Sequence, residues 1–220
     1  ACIQGYYVAR DSLASRFGDV GVGALNLGWT IQQVPETVIG TAIAIALLPT
    51  LAEYINAGQV ETFRETVNRA LRVMLAMCLP AAALLAVVVR PLVSAFFGFE
   101  NSQLDLVTFC TWAFLLGLLG DAWLETAVRS FYANQNTRTP LVAALGQVIA
   151  FIVLSRLFSQ WLGLAGIPLA ATVTYSTQAI VLFLILNKRY PGILNMQGTL
   201  LRSLLAATVG GLAALIGTYY

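Results

Sequence analysis

Leu106–Pro140 reads LVTFCTWAFLLGLLGDAWLETAVRSFYANQNTRTP, and the fold follows from how this stretch is read. It opens with an uncharged apolar run, Leu106–Gly120, and then carries Asp121, Glu125 and Arg129. On an α-helix a spacing of four stacks these three side chains along one face. Glu125 precedes Arg129 by one turn, the favourable orientation for a helical ion pair. Asn134-Gln135-Asn136 then makes a polar turn, Thr139 is placed to cap the next helix, and Pro140 fits its first turn. A charged face on a lipid-compatible helix must look into protein or water. This helix is therefore the prime candidate for lining a polar cavity.

Composition supports the same reading across the whole chain. Of 220 residues, 59% are hydrophobic and 10% charged, and mean hydropathy is +0.80. Soluble domains carry about 25% charged residues. The sequence is that of an all-α integral membrane protein. A net charge of +2 gives no support to nucleic-acid binding. Histidine is absent, so Ser-His and Cys-His nucleophile pairs are impossible. There is no glycine-rich phosphate loop and no paired aspartate motif for Mg²⁺. Cys2, Cys78 and Cys110 are scattered, mostly in apolar context, and read as small buried side chains rather than a disulfide or metal site. The chain is thus expected to be no enzyme and to need no cofactor. Its first residues lack the basic region of a signal peptide, and Tyr219-Tyr220 falls inside an apolar run. Both ends read as cuts within a longer membrane protein.

Hydrophobic periodicity divides the rest. Residues 1–19 mix Arg10, Asp11, Arg16 and Asp19 with apolar positions, and read as a partial cavity-facing helix or an interfacial segment. A bundle over 20–220 is expected to hold about six spans: 20–51, 71–89, 107–132, 139–155, 163–186 and 203–220. The first carries Pro35 in its middle, which removes a backbone donor and kinks a helix. Gln32, Gln33 and Glu36 cluster at that break. Gln33 and Glu36 join Asp121, Glu125 and Arg129 as candidate residues of a substrate or ion cavity. Over residues 58–70, Val60, Phe63 and Val67 form a stripe with Leu71, predicting an amphipathic helix on the membrane surface. Arg90-Pro91 is expected to end the second span, and Leu92–Gly98 to be interfacial. Gly166, Ala170 and Thr174 make a small-residue face suited to close helix packing. If the spans alternate, Arg64, Arg69, Arg72, Arg138, Lys188, Arg189 and Arg202 fall on one side. Arg90 and Arg156, with Arg10 and Arg16, fall on the other, so the first side is cytoplasmic by the positive-inside rule.

Several motifs, in order, resemble one family. Phe131–Pro140 (FYANQNTRTP), Ile39–Tyr54 (IGTAIAIALLPTLAEY) after Pro35, Arg90–Gly98 (RPLVSAFFG) and Gly163–Ala170 (GLAGIPLA) are similar to the MurJ/MviN lipid II flippases. These belong to the multidrug/oligosaccharidyl-lipid/polysaccharide exporter superfamily. The resemblance maps the chain to the second half of that fold. It implies the second lobe of a MATE-like two-lobed bundle in the bacterial inner membrane. It implies alternating access that moves an undecaprenyl-diphosphate-linked peptidoglycan precursor, with the bilayer and a coupling cation as further partners. It places an arginine where Thr30 stands and commonly a basic residue at Glu125, while Arg129 matches a frequent arginine. Three readings follow: a different substrate, cations supplied by the other half, or a diverged copy. Beside the flippase stand two alternatives: a polysaccharide-lipid or cation-coupled drug exporter, and a non-transporting membrane scaffold.

Overall fold

The computed structural model describes residues 2–193 and the pair 207–208, with side chains from Tyr6 onward. The expected span 203–220, and Arg202, lie outside the described residues apart from that pair. The described residues form α1 (Cys2–Ala14), α2 (Gly18–Pro35), α3 (Ala42–Asn56), α4 (Val60–Phe97), α5 (Asn101–Leu115), α6 (Leu118–Ala133), α7 (Arg138–Leu162) and α8 (Gly166–Arg189). Three helical paths are long and apolar enough to cross a membrane: Tyr6–Asn56, Val60–Phe97 and Arg138–Arg189. The α5–α6 pair meets the same test as one path bent by 41°.

The first and third paths double back at short 3-10 turns bordered by Gly18 (φ 73°) and Gly163 (φ 59°). Both angles lie in the left-handed region that favours glycine. The first doubling places Tyr7 against Trp29, with ring centroids 6.1 Å apart, and hydrogen-bonds Arg10 to Asn26. The stretch 1–19 therefore contributes a packed helix. Tyr6 reaches Phe151 of α7 (4.6 Å) and Tyr175 of α8 (5.4 Å) in one buried cluster.

Between α2 and α3 the chain stays helical but widens to a π segment, Glu36–Thr41. Pro35 has no N–H for the Ile31 carbonyl, and wider turns of this kind absorb such a lost bond. Close approach then fixes the segment on α6: a Cβ added at Gly40 would lie 3.1 Å from Ala122 Cα. On its other side α6 meets α8, where a Cβ at Gly117 would stand 2.7 Å from Thr172 Oγ1. Small residues let these helices touch backbone to backbone, the packing that lipid-embedded helices use. The face of Gly166, Ala170 and Thr174 is buried as well, and Gln147 Nε2 donates to Thr174 Oγ1 at 3.4 Å.

The structure corrects several expectations. The segments expected over 58–70, 71–89 and Leu92–Gly98 fall almost wholly within one helix, the 38-residue α4 (Val60–Phe97). Its amphipathic stripe does not lie on a membrane surface: Phe63, Val67 and Leu71 are fully buried in a cluster with Phe131, Phe183 and Leu186. Phe63 packs on Tyr190 at 5.1 Å, and Asn68 Nδ2 donates to the Ile193 carbonyl at 2.6 Å. An apolar stripe with a matching surface at hand buries against that surface. Arg90-Pro91 does not end the helix, which runs to Phe97 and stops where Gly98 turns left-handed. Proline in a lipid-embedded helix costs less than in water, because neighbouring groups satisfy the freed carbonyl. The expected helix 107–132 is two helices bent at Leu116-Gly117. The cap expected of Thr139 is supplied by Asn136, whose Oδ1 accepts the Thr139 N–H at 3.2 Å.

Candidate cavity-lining site

The site is built where α2, the π segment and α6 converge. Along α2 the positions Gly21, Ala24, Leu25, Gly28 and Gln32 are buried and recur at helical spacing. A Cβ at Gly28 would meet the Thr111 backbone of α5 at 3.1 Å. That tight seam leads Gln32 inward and leaves Gln33 on the exposed side. Gln32 is fully buried, and its Nε2 donates to Asp121 Oδ2 of α6 at 3.1 Å. Gln32 Oε1 and Asp121 Oδ1 are buried without a hydrogen-bond partner.

One turn after Gln32, Glu36 starts the π segment half-buried and accepts a hydrogen bond from Thr41 Oγ1 at 3.1 Å. The Gly40–Ala122 contact brings it to α6. Glu36 and Glu125 both lie near enough to Asp121 for their charges to act on it. One turn on from Asp121, Glu125 accepts from Arg129 Nη2 at 3.3 Å. Their side chains are 34% and 26% exposed, so this pair sits at the rim while Gln32 lies at the bottom. An ion pair as exposed as this contributes about 0.3–0.5 kcal/mol. The cluster sets three carboxyl groups beside one guanidinium.

Of the residues singled out from sequence, Glu36, Asp121, Glu125 and Arg129 are brought together. Gln33 is not, and its neighbour Gln32 takes the inward place. The missed signal was the four-residue rhythm Ala24, Gly28, Gln32, whose small members mark the contact face. Arg10 was missed too. It is 3% exposed, paired with Asp11 at 3.0 Å, and lies over the rings of Tyr7 (5.2 Å) and Trp29 (5.9 Å). Thr30, where the family resemblance places an arginine, is exposed and turns its hydroxyl to the Asn26 carbonyl at 2.8 Å.

Two clefts lie away from this cluster. One of about 660 Å³ is polar and is lined by Tyr54, Arg64, Asn68, Arg69 and Arg72 near the start of α4. The other, of about 490 Å³, is apolar and lies between α2, the end of α4 and α5.

Comparison with known proteins adds a second line. The family model described as "Lipid II flippase MurJ" matches residues 7–220. The lipid II flippase MurJ of Burkholderia cenocepacia is 27% identical over 186 residues, 83% of this chain and 36% of that protein. A probable lipid II flippase MurJ of Rhizobium meliloti is 31% identical over 165 residues, 74% of this chain and 31% of its own length. The chain thus spans about a third of the curated relatives it matches. Among solved structures, lipid II flippase MurJ in an inward closed conformation superposes with a TM-score of 0.77 at 18% identity. The superposition covers 99% of this chain and 51% of that one. A MOP superfamily transporter of Pyrococcus furiosus, described as having a binding pocket of reverse polarity, superposes at 0.78 with 13% identity. It covers 97% of this chain and 49% of that one. At these identities the two structures speak for the fold.

Proposed function

Because the chain belongs to the lipid II flippase MurJ family, we propose that it forms one lobe of a flippase for the undecaprenyl-diphosphate-linked peptidoglycan precursor. The lobe crosses the bacterial inner membrane several times and rocks against a partner lobe, in alternating access. The observation that carries this reading is the family match, which runs unbroken through residues 7–220. An exporter of another cargo and a non-transporting scaffold are not favoured by these matches.

The chemistry of the cluster divides the labour. A diphosphate is attracted by arginines and repelled by carboxylates. With Thr30 turned onto its own helix and Glu36, Asp121 and Glu125 outnumbering Arg129, this lobe offers the headgroup little. The cations that grip the diphosphate then belong to the remainder of the protein. The acidic lining handles the countercharge, a coupling cation. Gln33 stands on the exposed side of α2, apart from the Gln32–Asp121 contact.

The full-length protein, expressed in cells depleted of their own lipid II flippase, is expected to restore growth and peptidoglycan synthesis. Normal membrane insertion without rescue overturns the cargo assignment.

A further inference from the structure

We propose that the apolar cleft between α2, the end of α4 and α5 binds one phospholipid of the surrounding bilayer, selected for a primary-amine headgroup. An acyl chain lies along α2 and the ammonium rests on Asp19. The proposal goes beyond the flippase reading and depends on neither its cargo nor its cation.

The cleft, of about 490 Å³, falls within the size range of small-ligand sites. Val20, Gly23 and Leu27 form its α2 wall at helical spacing, so it follows that helix for two turns. Phe97 and Phe99 line it from the end of α4, their rings stacked with centroids 5.3 Å apart. Val20 and Phe97 are 48% and 52% exposed, so the cleft opens to the medium around the bundle. Gly23 keeps it open. A Cβ there would meet nothing within 4 Å. Cβ atoms at Gly21 and Gly28 of the same helix would meet Phe17 at 2.7 Å and Thr111 at 3.1 Å. Those two glycines admit neighbouring groups, whereas Gly23 fronts the cleft.

In a bilayer such a groove is open to acyl chains. A lipid tail gains little from the hydrophobic effect on entering it, because the bilayer is as apolar as the lining. Fit to the groove and the headgroup must therefore hold the molecule. Asp19 and Gln103 are the polar members of the lining. Asp19 is exposed in the first turn of α2. Among the described residues no hydrogen bond or ion pair reaches its carboxylate. A carboxylate at the head of an apolar groove attracts a cation tethered to a hydrocarbon chain and repels a purely anionic headgroup. A primary ammonium adds three donors to that charge. Arg16, exposed on the 3-10 turn three residues before Asp19, is available to the lipid's phosphate. The two charges together match a zwitterion such as phosphatidylethanolamine.

The test is lipid binding to the purified, delipidated full-length protein in detergent, read by native mass spectrometry. Phosphatidylethanolamine and phosphatidylglycerol with identical chains are titrated separately. One saturable phosphatidylethanolamine is expected, held several-fold more tightly than phosphatidylglycerol. Asp19→Asn should erase that difference while one lipid of either kind still binds, since only the charge that tells an ammonium from an anion is lost. Gly23→Phe should remove the saturable lipid, because its ring occupies the cleft. The open space at that Cβ should leave the unfolding midpoint unchanged. If Gly23→Phe does not fold, Asp19→Asn on the exposed turn decides alone. Equal, unsaturable uptake of both lipids by the unmodified protein is an annular layer only and overturns the site. So does an ethanolamine preference that survives Asp19→Asn, or a saturable lipid retained by folded Gly23→Phe. None of these outcomes bears on the flippase reading, which the rescue experiment decides.

Discussion

Arg10 and Gly40 do opposite kinds of work in the same bundle. Arg10 is a charge held at 3% exposure by groups that each take part of it: the Asp11 carboxylate, the Asn26 amide and two aromatic faces. A planar fork holds two acceptors at once, and an ammonium does not reproduce that geometry. Arg10→Lys is therefore expected to lower the unfolding midpoint of the purified protein, at a cost of about 1–3 kcal/mol. An unchanged midpoint would show that the fork is not needed. Gly40 contributes by having no side chain. Its absent Cβ would stand 3.1 Å from both Ala122 Cα and Ala122 Cβ, so bulk there must push the π segment off α6. Gly40→Val is expected to destabilise by about 1–3 kcal/mol, read as a lower unfolding midpoint. Because Glu36 rides on that segment, the acid cluster should loosen with it. Single residues also mark how far sequence reading went at the site. The i, i+4, i+8 series Asp121, Glu125, Arg129 was legible because it needs only helix geometry. The choice between Gln32 and Gln33 was not, because it depends on which face of α2 a neighbouring helix covers.

Among the elements, α4 separates what pattern reveals from what packing decides. Its 38 residues measure about 57 Å at 1.5 Å per residue, nearly twice the ~30 Å hydrocarbon layer. Part of it must therefore stand outside the lipid or lie steeply tilted. The stripe Phe63, Val67, Leu71 was legible as an apolar face; its partner was not, since Phe183, Leu186 and Tyr190 lie more than a hundred residues away in the chain. Pro91 likewise read as a break by rules drawn largely from water, whereas α4 runs through it and through Pro80. If Phe63 is a docking residue, Phe63→Ala leaves a hole between α4 and α8 and costs about 3–5 kcal/mol. A side chain lying in the lipid interface would cost far less on truncation. The unfolding midpoint of the variant, set beside that of the exposed Val60→Ala, distinguishes the two.

At the scale of the whole molecule, the charges sort by end. Arg64 Nη1 donates to the Pro191 carbonyl at 2.6 Å, which puts the start of α4 beside the end of α8 with Lys188 and Arg189. Tyr190 Oη donates to Asn134 Oδ1 at 2.6 Å, which brings the α6–α7 turn, and Arg138 just after it, to the same end. Arg90 pairs with Asp105 at 2.9 Å across the α4–α5 junction, a long helix away. One end thus gathers Arg64, Arg138, Lys188 and Arg189, while Arg90 stands at the other beside Asp105. By the positive-inside rule this sorting is expected to set the first end in the cytoplasm. In that orientation Arg129, which precedes Asn134 by five residues, would lie on the cytoplasmic side of Asp121. A cation entering from outside would reach Asp121 and Gln32 without passing the guanidinium. Single cysteines at positions 64, 188 and 105, in a Cys2→Ala background, test this with a membrane-impermeant maleimide. Cys78 and Cys110 are buried and should stay silent. Arg64→Cys and Lys188→Cys should react only when the cytoplasmic face is exposed, and Asp105→Cys only from outside. Reaction of positions 64 and 188 from opposite faces would contradict the packing of α4 on α8. Reaction of all three from the reverse faces would leave the fold intact but invert the bundle, so that a cation from outside would meet Arg129 first.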